Sequence, residues 1–166
     1  MPIEIQPVTA ATREQAAALL IRFFDEEGFA TPPARIAQNF DLMLADPACW
    51  CAVAMESGIP TAVVTVSMIR LVEEGRIGEI GDLYVLPGYR RRGLARLLLE
   101  RALVWCRDQG CSAVEVTTTP TGEQRHRLSA FYARLGFAPT GRTIASATLG
   151  LTALIAAAFD SPRSVR

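Results

Sequence analysis

Three successive arginines, Arg90, Arg91 and Arg92, run into Gly93, and Gly93 runs into the amphipathic pattern Leu94-Ala95-Arg96-Leu97. From Asp82 onwards the segment reads as a strand, a tight turn and the start of a helix. The first N–H groups of a helix have no partner within it, and the helix dipole favours negative charge at that end, so a diphosphate can sit there. Gly93 lets the backbone approach the phosphates, and small Ala95 keeps the first helical turn open. The arginines add charge-assisted hydrogen bonds in a planar geometry suited to phosphate oxygens. Taken alone, R-x-x-G-x-A occurs by chance and is then only an exposed basic turn. The chain offers neither G-K-[ST] for a nucleoside triphosphate loop nor G-x-G-x-x-G for a dinucleotide fold.

The surrounding elements set this turn in a sheet. Ile3, Ile5 and Val8 begin an edge strand. Thr12-Arg13-Glu14-Gln15 reads as a capping box opening a helix to about Glu27, and Pro32-Pro33 starts a second helix that Asp46-Pro47 stops. Cys49 to Met55 and Thr61 to Leu71 are β-branched or apolar runs joined by the turn composition Ser57-Gly58-Ile59-Pro60, a hairpin pattern. Ile77 to Leu86 follows as a strand, then a helix from Leu94 to Gly110 and a strand from Ala113 to Thr118. Gln124 to Leu135 reads as a helix closed by Gly136, and Phe137 onwards as a closing pair of strands. The order β-α-α-β-β-β-α-β-α-β-β predicts an α+β fold with a mixed central sheet of about seven strands and about four helices. The helix after the 77–86 strand implies a crossover and locally parallel pairing.

Here the sequence resembles the GNAT superfamily of acyl-CoA-dependent N-acyltransferases. Arg90, Gly93 and Ala95 fill its acetyl-CoA signature [Q/R]-x-x-G-x-[G/A], and Phe131-Tyr132-Ala133-Arg134-Leu135-Gly136-Phe137 looks like its F-Y-x-x-x-G-F. The element order agrees from Ile3 to about Leu151. The resemblance implies that the amides of Arg91 to Arg96 hold the pyrophosphate of acetyl-CoA. It implies also that the backbone of Leu83, Tyr84 and Val85 pairs with the pantetheine arm, with strands 4 and 5 splayed apart by a β-bulge near Asp82. Tyr132 matches the tyrosine that faces the CoA sulfur. Glu79, eleven residues before Arg90, has the spacing of the general base in the histone-acetylating branch. Where many members carry a CoA-contacting asparagine, seven residues before the tyrosine, this chain has Arg125.

A primary amine is protonated near neutral pH and must lose a proton before attacking a thioester. Glu79 and Asp82 are the candidate bases; strict alternation puts them on opposite faces of the strand unless a bulge resets the register, and Glu79 is favoured. Backbone N–H groups near Val85 would polarise the thioester oxygen, and Tyr132 would protonate the departing thiolate. Cys49, Cys51, Cys106 and Cys111 match no zinc or redox spacing and lie away from the turn, which favours direct transfer in a ternary complex over a covalent cysteine route. His126, between Arg125 and Arg127, reads as a solvated residue near CoA. The resemblance implies that the first two helices and their connection form one wall of the acceptor cleft, and there Phe23-Phe24-Asp25-Glu26-Glu27-Gly28-Phe29 puts acids beside aromatics, which would suit a polyamine, an aminoglycoside or a lysine side chain.

Composition bounds the alternatives. The chain has 166 residues, half of them hydrophobic, and its 17 basic residues balance 17 acidic ones. It therefore reads as one domain, with a core over about 3–151, an apolar extension at 144–159 and a tail at 160–166. Zero net charge argues against a nucleic-acid module, and no metal site is expected. The N-terminus lacks a signal-peptide pattern, so a cytoplasmic location and no membrane association are expected. Ile144 to Phe159 is too short to span a bilayer and reads as a buried strand and short helix, apolar enough to pair across a homodimer. The competing reading keeps the fold without turnover, as a CoA-binding sensor.

Overall fold

The computed structural model describes residues 3–146. Its elements are β1 (Glu4–Pro7), α1 (Arg13–Glu27), α2 (Pro33–Ala45), β2 (Cys49–Glu56), β3 (Ile59–Leu71), β4 (Gly75–Val85), α3 (Leu94–Asp108), β5 (Ala113–Val116), α4 (Pro120–His126) and α5 (Leu128–Ala133). The five strands form one sheet in the order β1-β2-β3-β4-β5. Neighbours from β1 to β4 pair antiparallel, whereas β4 and β5, joined through α3, pair parallel.

Helices cover both faces. Leu19, Leu20, Ile36 and Phe40 of α1 and α2 pack on Val53, Val63 and Tyr84, while Leu94, Leu98, Leu99 and Ala102 of α3 pack on Val64, Val66 and Ile80. This is why Thr61 to Val66 of β3 reads as an unbroken β-branched and small-residue run: all six residues are fully buried, so neither face needs polar side chains. At Gly78, β4 has no side chain, and a Cβ there would collide with Cys106 Sγ, so the glycine sets how closely α3 approaches the strand.

Several expectations change. The sheet has five strands among the described residues rather than about seven, and five helices rather than about four, because Gln124–Leu135 is two helices broken at Arg127 (φ 52°, ψ 50°). No strand forms between Phe137 and Ser146, and the remainder of the expected closing pair, most of the apolar 144–159 segment with its homodimer role, and the tail lie outside the described residues. The capping box at Thr12 does not close; Thr12 Oγ1 instead accepts from the Thr9 N–H at 3.0 Å. The β2–β3 turn is the two residues Ser57 and Gly58, both at positive φ as a primed hairpin turn requires, which leaves Ile59 and Pro60 in β3.

Candidate active site

The last pair between β4 and β5 is Ile80 with Val116, and β4 runs on to Val85 with β3 on one side only. All four residues of β5 pair with β4, and after Val116 the chain continues through Thr117–Thr119 into α4, which leaves β4 from Gly81 to Val85 without a strand on that side. A cavity of about 530 Å³ lies in the opening, lined by Gly81 to Val85 of β4, the signature turn, Thr117–Thr119, Tyr132 and the end of α1. That volume suits a small-molecule ligand. The Asp82 N–H donates to Thr65 and the Leu86 N–H to the Thr61 carbonyl, both toward β3. By alternation the main-chain groups of Leu83 and Val85 face the open side, whereas those of Tyr84 face β3.

The turn after β4 presents a run of open main-chain amides. Arg91 and Gly93 both adopt positive φ, 63° and 83°, and none of the six consecutive amides from Arg91 to Arg96 finds an acceptor among the described residues. The arginines divide sharply. Arg90 points inward: its Nε donates to the Val85 carbonyl at 2.9 Å and its Nη2 to Glu26 Oε2 at 2.6 Å. Arg92 is held by both oxygens of Glu56 and lies over the Tyr89 ring, and Arg96 pairs with Glu100 one helical turn on. Arg91, exposed and lining the cavity, has no polar partner among the described residues.

The expected bulge is present, and it decides where the carboxylates point. Thr65 pairs with Asp82 and Val66 with Ile80, so Gly81 is the extra residue. Glu79 pairs with Ser67 and Asp82 with Thr65, two residues apart on β3, so both acids lie on one face of the sheet rather than on opposite faces. Asp82 lines the cavity and Glu79 does not. Burial pushes the Asp82 carboxyl above the ordinary aspartate range, against the lowering effect of a hydrogen bond from Thr65.

Tyr132 reaches the cavity from α5, edge-on between Phe131 and Phe137. Its hydroxyl has no partner among the described residues, and burial pushes it up to about 12. The break at Arg127 aims it. Thr119 caps α4 by accepting from the Gly122 N–H at 3.0 Å, with Pro120 in the first turn, and Glu123 closes the start of α5 through the Ser129 N–H and hydroxyl. Thr119-Pro120 is a helix-start signature, present in the sequence but unread.

The third wall is the end of α1. Phe23, Phe24, Phe29, Glu26 and Glu27 line it. Burial alone would raise the Glu26 carboxyl, but hydrogen bonds from Tyr84 and Arg90 and the Arg90 charge outweigh it and hold Glu26 below the usual range. Burial and the Glu26 hydrogen bond push the Tyr84 hydroxyl up to about 12. Arg125 donates to the Glu26 carbonyl and does not line the cavity. His126 does line it, 3.5 Å from Glu27. Glu27 keeps only 9% of its side chain exposed and makes no hydrogen bond among the described residues.

The sequence profile described as the acetyltransferase (GNAT) family matches residues 14–137. The chain belongs to that family. Its elements superpose on solved GNAT structures at low identity. The aminoglycoside N-acetyltransferase AAC(6')-Iy, solved with a CoA-linked bisubstrate analogue, is 19% identical with a TM-score of 0.78, over 90% of this chain and all of that one. The aminoglycoside 6'-N-acetyltransferase AAC(6')-IG from Acinetobacter haemolyticus gives 21% and 0.72, over 88% and 98%. A predicted acetyltransferase from Clostridium acetobutylicum, solved with acetyl-CoA, gives 17% and 0.73, over 88% and 96%. No curated protein matches the sequence significantly. As a GNAT chain it brings Asp82, Tyr132, Leu83, Val85, Arg91 and the amides through Leu94 and Ala95 to one cavity. Glu79, Arg92 and Arg125 lie off its walls, and no cysteine lines it. The Cys51 and Cys106 thiols are pushed up to about 12 by burial, far from the thiolate form.

Proposed function

We propose that this GNAT protein moves an acetyl group from acetyl-CoA to a primary amine by direct attack, with both substrates in the one cavity. The observation that carries this reading is the continuity of that cavity, from the signature turn, whose amides find no acceptor among the described residues, past the open edge of β4 to the half-buried Asp82 carboxylate and the buried Tyr132 phenol. Acetyl-CoA supplies an activated acyl thioester. The amides of Arg91–Arg96, with the free Arg91 guanidinium, take its diphosphate. The main-chain groups of Leu83 and the Val85 N–H, the Val85 carbonyl being taken by Arg90, hold its pantetheine as an added strand.

Asp82, in place of Glu79, removes the proton from the bound ammonium. A carboxylate made more basic by burial accepts that proton more readily than an exposed one. Tyr132 holds its proton at any working pH and gives it, or a hydrogen bond, to the departing sulfur. The acceptor lies against the end of α1, where Phe23, Phe24 and Phe29 pack its body and Glu27 attracts a second positive charge; this supports a cationic amine such as a polyamine or an aminoglycoside. The test is thiol release from acetyl-CoA with a panel of cationic and neutral amines. Asp82→Asn should turn over about 10²-fold more slowly and Glu79→Gln near the wild-type rate. CoA binding without thiol release for any amine would instead make the protein a sensor.

A further inference from the structure

Thr65 is fully buried on β3, opposite the bulge, and its hydroxyl spends both of its capacities on one residue. Oγ1 donates to Asp82 Oδ2 at 2.7 Å and accepts from the Asp82 N–H at 2.9 Å. Two bonds from one atom, to the side chain and to the main chain of the same residue, fix the carboxylate against its own backbone. Oδ1 is left without a partner among the described residues, so it is the oxygen that can meet an amine. Gly81 belongs to the same arrangement: a Cβ there would lie 2.9 Å from Thr65 Oγ1, so the bulge glycine leaves room for the hydroxyl.

We propose that Thr65 is a positioning residue for acetyl transfer, orienting the Asp82 carboxylate into the cavity and holding it in the ionised form that accepts a proton. The inference rests on the reading of Asp82 as the base. Burial favours the neutral acid, and a hydroxyl donating to a carboxylate favours the ionised form, so removing the hydroxyl makes Asp82 harder to ionise. Cys51 on β2 lies near enough to feel the Asp82 charge, and burial holds its thiol neutral; Glu79 and Tyr84 share the Asp82 face of β4, Glu26 of α1 is bound to Tyr84 and Arg90, and Glu27, Arg91, His126 and Tyr132 line the same cavity. None of them replaces the Thr65 bond.

The experiment compares Thr65→Val, which keeps the shape and loses the hydroxyl, with Thr65→Ser, which keeps the hydroxyl, and with Asp82→Asn. Thr65→Val should lower kcat about 10-fold or more, the size expected of one hydrogen bond to a charged group. It should also move the acid limb of the pH–rate profile to higher pH, with CoA affinity unchanged. Thr65→Ser should restore both. Should the valine variant not fold, Thr65→Ala against Thr65→Ser makes the same comparison. Wild-type kcat and pH limb in Thr65→Val, beside an inactive Asp82→Asn, would overturn the role of Thr65 alone. Equal losses in the valine and serine variants would assign the effect to packing and overturn it as well. Full turnover in Asp82→Asn would remove the base and this inference with it.

Discussion

Arg90 Nη2 lies 2.6 Å from Glu26 Oε2, and this pair ties the signature turn to the last turn of α1, so one contact joins the cavity wall proposed for the diphosphate to the wall proposed for the acceptor. The family pattern treats Arg90 as the first residue of a coenzyme motif. In this chain its guanidinium is committed to Glu26, to the Val85 carbonyl and to the face of Tyr84.

Glu26→Gln should therefore loosen both walls. Both partners keep about a third of their side chains exposed, so the pair contributes about 1 kcal/mol or less to stability. The Glu26 carboxyl is held below its ordinary value, so its contribution is present above an unfolded-state pKa of about 4.3 and is lost as pH falls through the folded value. Urea midpoints of wild type and variant should differ at pH 7 and converge once the pH has fallen below the folded value of Glu26. KM should rise for acetyl-CoA and for the amine together, a result that a purely local acceptor contact would not give.

The arginines of the turn should not be equivalent. Arg91 is the unpaired one, so Arg91→Ala removes a charge-assisted bond and should weaken acetyl-CoA binding about 10-fold or more, with a shallower salt dependence, measured by calorimetry. Arg92→Ala frees Glu56 instead, and its effect on affinity should be several-fold smaller, about 2-fold. Equal losses in the two variants would mean that Arg92 leaves Glu56 when the coenzyme arrives.

Asp82 should trade stability for activity. A half-buried aspartate with a raised pKa favours its neutral form in the fold, so stability falls as pH rises from about 3.9 toward the folded value and is level above it. Asn keeps an oxygen for the Thr65 hydroxyl and carries no charge. Asp82→Asn should melt above the wild type at pH 7 and match it at pH 3 and below, while losing turnover. A lower melting temperature at pH 7 would show that the carboxylate is structural.

How far the sequence carries the site can be followed at single residues. The hairpin, the helix boundaries of α1 and α2 and the turn into α3 at Gly93–Leu94 were legible because turn residues, prolines and glycines act locally. Which of Glu79 and Asp82 lines the cavity was not, because a one-residue bulge at Gly81 flips every later side chain and its exact position leaves no mark but a glycine. Thr65 was equally hidden: within a run of buried β-branched residues its hydroxyl looks like one more Val-shaped side chain. The partners of Arg90 and Arg92, Glu26 and Glu56, are 64 and 36 residues away, distances over which no spacing rule operates.

Tyr132→Phe should separate catalysis from packing. The ring sits between Phe131 and Phe137, which Phe would preserve, so the melting temperature should hardly move. Turnover should fall by about 10²-fold, with CoA affinity intact. The hydroxyl, pushed up to about 12, should add no alkaline limb to the pH–rate profile below pH 10. An unchanged rate would reduce Tyr132 to a packing residue.

Glu27 offers the sharpest handle on the acceptor. Of the three acids at the end of α1, Asp25 is off the cavity, and Glu26 is committed to Tyr84 and Arg90. Glu27 lines the cavity with Phe23 and Phe24, and among the described residues its one ion-pair partner is His126 at 3.5 Å. Glu27→Gln should then raise KM for a diamine about 10-fold while leaving kcat and the KM for acetyl-CoA unchanged, because the lost attraction acts equally on bound substrate and transition state. A monoamine of the same length has no second charge to lose, and its KM should not change. If both amines weaken alike, Glu27 shapes the wall without reading charge; if neither does, the second charge binds elsewhere.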